Sequence, residues 1–254
     1  MAKLNTDSYK GVRDFYPEDM AVQNYIFDTW RKVAEKHGYL EYSASILEPT
    51  EIYSEKSGSE IVNEQTFTFM DRGDRSVTIR PEMTPTLARM VAARRKSLKF
   101  PLRWYSMPNL FRYERPQRGR KREHWQLNCD LLGVSGIEGD REIISLAYAV
   151  MKEFGAKDED FEIRINNANI EDFKKIGPNF VSDPTLARGQ TYYTGTVFEI
   201  FDKDKENNRA LAGGGRYDNL LEMFDVEPVP SVGFGMGDIT LRDFLETHKL
   251  GPYA

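Results

Sequence analysis

Phe111-Arg112-Tyr113-Glu114-Arg115-Pro116-Gln117-Arg118-Gly119-Arg120-Lys121-Arg122 continues an extended stretch of roughly 102–114 and leads into another of roughly 123–133. Pro116 and Gly119 punctuate it as a loop, so the region reads as strands joined across an arginine-rich connection. From Arg112 to Arg122 there are six basic residues and one acid, in a chain whose net charge is −5. Two readings stand for this loop. It is a solvated surface tip, or it is a cluster of guanidinium forks suited to planar, bidentate capture of phosphate oxygens. Because the chain as a whole is acidic, contact with a polyanion has to come from such local stretches.

Upstream, Thr66–Met70 and Ser76–Arg80 alternate polar and apolar residues around the turn Asp71-Arg72-Gly73-Asp74, which predicts a β-hairpin. Pro17-Glu18-Asp19 is a helix start, Val22, Ile26, Trp30 and Val33 form one apolar stripe, and Gly38 ends it, predicting a helix near 18–37. Pro81 opens another helix that runs to Arg94-Arg95-Lys96. Downstream, residues 140–154 read as a helix and Phe161–Ile165 as a strand. Asn167–Pro184, polar and interrupted by Gly177 and Pro178, reads as a connection. Strands are expected at Tyr192–Phe201, Ala210–Tyr217 and Ser231–Met236, and a helix at Ile239–Leu245. Strands paired by turns with helices between some of them predict an α+β fold, a mostly antiparallel sheet flanked by helices.

The 254 residues, 40% hydrophobic and 12% aromatic, suffice for one large domain, expected over 1–254. No stretch approaches the ~20 apolar residues of a membrane span, and the first residues lack a secretory apolar region. One cysteine, Cys129, and three histidines, His37, His124 and His248, give no disulfide and no metal site to expect. The chain reads as a reduced, cytoplasmic protein.

Three further segments carry chemistry. Arg80-Pro81-Glu82-Met83-Thr84-Pro85-Thr86 sets a carboxylate and a hydroxyl two residues apart, able to hold an ammonium group or to serve as helix-start polar residues. Leu186–Glu199 places Arg188 and Gly189 ahead of Tyr192 and Tyr193, which are core and rim residues or the mouth of a site. Ala212–Asp218 and Gly233–Asp238 are glycine-rich but satisfy neither the dinucleotide fingerprint nor a Walker A loop. Glycines inside strand patterns let a ligand or another chain approach the backbone. A nucleotide, if bound, sits on an antiparallel sheet against arginine side chains.

Taken together, these segments resemble the class II aminoacyl-tRNA synthetases, and within them the histidyl-tRNA synthetase family. Lys10–Pro17 resembles that family's opening, Tyr39–Pro49 its motif 1, Phe111–Glu114 through Gln126 and Asp130 its motif 2, Arg188–Phe198 its histidine signature, and Gly213–Asp218 a further family segment. The resemblance implies activation of histidine with ATP and transfer to tRNA(His) through its acceptor end, by a homodimer whose interface includes the motif 1 proline, Pro49. It implies that Glu82, Met83, Thr84 and Gln126 bind histidine, with Glu82, Thr84 and Gln126 on its α-amino group, that Asp130 with Tyr192 or Tyr193 reads the imidazole, and that Arg188 also touches histidine. It implies that Arg112 and Arg188 flank the α-phosphate as the catalytic pair, that Glu114, Arg120 and His124 bind ATP, and that Mg2+ rides on the triphosphate.

The chain departs from the family pattern at several points. His124 replaces a stacking phenylalanine, Met83 a glycine, and Gly237-Asp238-Ile239-Thr240-Leu241 a Gly-Leu-Glu-Arg-Leu run, with Arg242 one position past Leu241. Family members carry an inserted domain where this chain has the short junction near 167–187, and they continue into an anticodon-binding domain, so charging of tRNA is expected to be weak. The alternative implied by the same resemblance is the non-catalytic regulatory subunit of ATP phosphoribosyltransferase, which would bind histidine and do no chemistry.

Overall fold

A computed structural model of the chain describes residues 4–54, 65–166, 170–186 and 192–254. Helix α1 (Pro17–Lys36) is followed by strands β1 (Leu40–Glu41) and β2 (Leu47–Pro49) and the short helix α2 (Glu51–Ser54). The hairpin β3 (Phe67–Met70) and β4 (Ser76–Ile79) precedes helix α3 (Thr84–Ala93). Strands β5 (Leu102–Ser106), β6 (Asn109–Phe111) and β7 (Glu123–Leu132) lead to helix α4 (Gly136–Glu153). Beyond it lie β8 (Phe161–Ile165), β9 (Phe180–Ser182), β10 (Val197–Asp202), β11 (Ala210–Arg216), β12 (Ser231–Gly237) and helix α5 (Asp238–Thr247).

The large sheet runs β1-β5-β7-β12-β11-β10-β8-β9, with β6 also beside β7. Its two outermost pairs, β1 with β5 and β8 with β9, are parallel, and the inner pairs are antiparallel. Strand β4 forms a separate small sheet between β2 and β3. The α+β expectation holds.

Helices cover one face of the large sheet because their apolar stripes match it. In α1, Ile26, Trp30, Val33 and Ala34 are buried in the same core as Ile143, Ile144, Ala147 and Val150 of α4. Leu127, Cys129 and Leu131 of β7 complete that core from the sheet side. Full burial of each large apolar side chain contributes about 1.5–3 kcal/mol. Pro17 at the first turn and Glu18 and Asp19 beside it start α1, and Gly38, at φ +79°, carries the chain out of it in a conformation that side chains resist.

Three sequence expectations change. Asn167–Pro184 is more than a connection, since β9 inside it pairs in parallel with β8. Three residues are too few for alternation to register. The strand expected from Tyr192 begins only at Val197. Before it, the Thr194 amide donates to the Arg216 carbonyl and the Arg216 amide to that of Thr196, so the segment leaves the regular ladder while staying tied to β11. Helix α4 also starts earlier than expected, at Gly136.

Candidate active site

The pleat of β7 supplies the first row of the site. Its residues alternate, so Leu127, Cys129 and Leu131 enter the core while Gln126, Asn128 and Asp130 share the opposite face. In register with that polar row, across β12, stand Gly237, Gly235 and Gly233. A Cβ on Gly233 would drive into Asp130 Oδ1, and one on Gly235 into Gln126 Nε2. These glycines let the two polar side chains lie over the neighbouring strand. The close approach expected at this glycine-rich stretch is therefore made by side chains of the same sheet.

Asp130 is 4% exposed and accepts a hydrogen bond from the Tyr217 hydroxyl. Burial drives its carboxyl up to about 7, against the lowering effect of that bond. Gln126 Nε2 donates to Asn128 Oδ1 at 2.6 Å. The buried Tyr192 hydroxyl donates to Glu82 Oε2 at 3.0 Å, and the Tyr192 ring lies 5.0 Å from that of Tyr193 and 5.9 Å from that of Tyr217. With Thr84 and Arg112, these groups line a tight polar cavity of about 50 Å³.

Arg112 follows β6 directly. Its Nε donates to the Pro81 carbonyl at 2.9 Å, which ties the guanidinium to the turn that also carries Glu82 and Thr84. The same side chain lines a second, open cavity of about 400 Å³ that shares Gln126, Gly213 and Gly235 with the first. Arg120, Lys121, Arg209 and His124 surround this larger space. Glu114 pairs through Oε2 with Arg120 Nε, while its buried Oε1 has no hydrogen-bond partner among the described residues. His124 is pushed down to about 3, by burial first and then by Arg112, Arg13 and Arg120, so it is neutral near pH 7.

The arginine loop divides its labour. Arg112, Arg120 and Lys121 reach the cavity. Arg122 is buried instead, donating to the Glu114 carbonyl and the Tyr9 hydroxyl with its guanidinium 4.0 Å from the centre of the Tyr113 ring. Arg118 donates to Asn207 at 3.0 Å. The loop is thus half scaffold and half site.

Among the expected site residues, Glu82, Thr84, Gln126, Asp130, Tyr192 and Tyr193 meet around the small cavity. Arg112, Glu114, Arg120 and His124 meet around the large one. Met83 does not join them: it is 1% exposed immediately before α3 and is not among the residues lining either cavity. Arg188 lies outside the described residues. Arg242 also stays away from the cavities, bonded to Asp19 at 3.0 Å and to the Tyr253 hydroxyl at 2.8 Å. Sequence reasoning missed Asn128, Tyr217 and Arg209. The polar alternation Gln126, Asn128, Asp130 was signal enough for the first, and the family segment Gly213–Asp218 contained the second without singling it out; no sequence signal marked Arg209.

Asp238, in the run that departs from the family pattern, has a structural explanation. Its fully buried carboxylate accepts from Arg13 at 2.6 Å, from Gln23 of α1 at 3.2 Å and from the Trp125 amide of β7 at 2.9 Å. It ties the N-terminal segment, α1, β7 and α5 together beneath the site.

The family model for histidyl-tRNA synthetase matches the chain over residues 11–173 and 168–238. The chain belongs to the histidyl-tRNA synthetase family. A histidine–tRNA ligase of Leptospira biflexa is 38% identical, with 98% of this chain and 76% of that protein covered. The alignment runs over 333 positions, so this relative carries residues inside the matched region that have no counterpart here. Among solved structures, apo histidyl-tRNA synthetase of S. aureus superposes with a TM-score of 0.80 at 27% identity, covering 99% of this chain and 72% of that one. An ATP phosphoribosyltransferase regulatory subunit/histidyl-tRNA synthetase of Bacillus halodurans gives 0.82 at 22% identity, covering 96% and 84%, a likeness of fold alone.

Proposed function

We propose that this member of the histidyl-tRNA synthetase family activates histidine with ATP and passes the product to the acceptor end of tRNA(His). The observation that carries the reading is the continuity of a tight polar cavity and a cation-lined one through Arg112. Histidine fits the first, with its imidazole at Asp130 and its α-amino group between Glu82, Thr84 and Gln126. ATP fits the second. The histidine carboxylate attacks the α-phosphorus, the new carboxyl–phosphate bond forms, and the bond to the β-phosphate oxygen breaks to release pyrophosphate. No protein base is needed, because the nucleophile is already ionised. Arg112, with Arg188 assigned beside it from the family resemblance, aligns the two reactants and stabilises charge on the phosphoryl oxygens. Bound Mg2+ would offset the charge of the triphosphate, and Glu114 and Glu199, which line the same cavity, are the carboxylates that could hold it there.

The polar cavity also supports specificity. A smaller or apolar amino acid would leave the buried Asp130 carboxyl with no ligand group to pair with beyond its bond from Tyr217. Exposed Leu47, Phe69 and Met70 on or beside the small sheet support a homodimer through this side of the molecule. The deciding experiment is ATP–pyrophosphate exchange with each of the twenty amino acids. Exchange with histidine alone is expected, and none with any amino acid on folded protein would overturn the reading.

One observation favours a second reading. Thr240 stands where the family pattern carries an arginine, and Arg242 is held elsewhere. A regulatory subunit of ATP phosphoribosyltransferase would bind histidine in the small cavity and catalyse nothing. Histidine binding without exchange, together with co-purification of a phosphoribosyltransferase, would establish it instead.

A further inference from the structure

Arg209 precedes β11 and reaches the large cavity alongside the arginine loop. Its Cβ and Cδ lie alongside Gly119, where a Cβ would stand 3.0 Å from Arg209 Cδ and 3.3 Å from the Thr240 methyl. A side chain at 119 would therefore push Arg209 away, so the bare loop backbone seats it. Neighbouring Asn207 is pinned from both sides, accepting from Arg118 and donating to Asp202 at 2.8 Å and to Thr247 at 2.9 Å. The guanidinium itself makes no hydrogen bond or ion pair among the described residues. Its pKa is lowered, by burial first and then by the like charge of Arg120. An arginine held beside another cation, with its donors unused, is arranged for an anion absent from the protein.

Position along the cavity says which part of the anion. Arg112 lines both cavities and so marks the end where the two reactants meet. Arg209 lines only the large cavity and its outer extension beside Arg118 and Asp243. Four cations, Arg112, Arg120, Lys121 and Arg209, face that space against the two carboxylates Glu114 and Glu199. We infer that Arg209 is a phosphate-binding residue that grips the distal phosphates of the nucleotide, next to Arg120 on the same side of the cavity. The inference rests on the proposed ATP reading and names a contact within it. It supplies positive charge beside Thr240 of α5 from the connection that leads into β11.

The test compares ATP and AMP binding by calorimetry in the full chain, Arg209→Ala and Arg209→Lys. Loss of a charge-assisted contact weakens ATP by about tenfold to a hundredfold. AMP, which lacks the distal phosphates, should change by less than about twofold, and lysine should restore part of the ATP affinity by charge alone. In pyrophosphate exchange the KM for ATP should rise by a similar factor while the KM for histidine holds. Unchanged ATP affinity in Arg209→Ala, or equal losses for ATP and AMP, overturns the role of Arg209 and leaves the ATP reading standing. Parental protein that binds histidine but no ATP overturns both.

Discussion

Tyr192 and Glu82, 110 residues apart in the chain, meet through a hydroxyl that donates to the carboxylate at 3.0 Å. The bond joins the turn before α3 to the segment before β10 and closes one wall of the small cavity. It orients a carboxylate assigned to an ammonium group. Tyr192→Phe removes one charge-assisted hydrogen bond, so the KM for histidine in pyrophosphate exchange is expected to rise about tenfold. The KM for ATP should stay near parental. Equal changes in both would point to a general collapse of the wall.

Arg112→Ala tests the junction of the cavities. Its guanidinium is assigned to charge that develops during phosphoryl transfer, so exchange should fall by about 10²–10³-fold. The lost bond to the Pro81 carbonyl should cost only about 1 kcal/mol of stability. A chemical denaturation curve close to parental alongside lost exchange is the expected pair of results.

Gly233→Ala and Gly235→Ala probe the glycine row. Each methyl group would enter the space held by Asp130 or Gln126. Overpacking of this kind costs about 1–3 kcal/mol, and the displaced side chain no longer presents its polar atoms to the cavity. Both variants should lower the melting temperature and weaken histidine binding measured by calorimetry.

Asp130 makes stability depend on pH. Its carboxyl, near 7 when folded, lies above its ordinary value of 3.8. Between those values the folded state holds the proton that the unfolded chain has released. Stability from this group is therefore complete below about 4 and falls as pH rises toward 7, by an amount on the order of a few kcal/mol. Asp130→Asn cannot ionise. Measured without histidine, its melting temperature should exceed the parental value at pH 8, and the gap should close near pH 4.

Asp238→Ala would leave Arg13 and Gln23 facing a void. Breaking a buried ion pair from one side typically costs about 3–5 kcal/mol, so the denaturation midpoint should drop sharply. Asp238→Asn keeps an acceptor and should lose less.

Much of this was legible in the chain. The alternation in Ser76–Arg80 and Phe161–Ile165, the stripe of α1 and the proline and glycine at its ends are local signals, and the elements appear where they predict. The candidate site residues were suggested by motifs, not by periodicity: nothing local says that Glu82 will meet Tyr192. The misses share a cause. Strand β9 exists because β8 offers it an edge, and Tyr217 matters because β11 ends beside Asp130. Arg209 gains its place from a glycine in a loop some ninety residues earlier. Each depends on what the folded chain brings alongside, which sequence spacing does not encode. Asp238 is the converse case, where a departure from a motif acquired a meaning only as a buried hub.

Because β7 and β12 are neighbours in the sheet yet about a hundred residues apart, the pocket floor has no partial form. A chain emerging from the ribosome carries Asp130 long before it carries Gly233, and until the later strand docks there is nothing for an amino acid to sit on. Assembly of this surface demands a long-range loop closure, which predicts slow acquisition of ligand affinity during refolding relative to helix formation. Competence and completion of the sheet should arrive as one event.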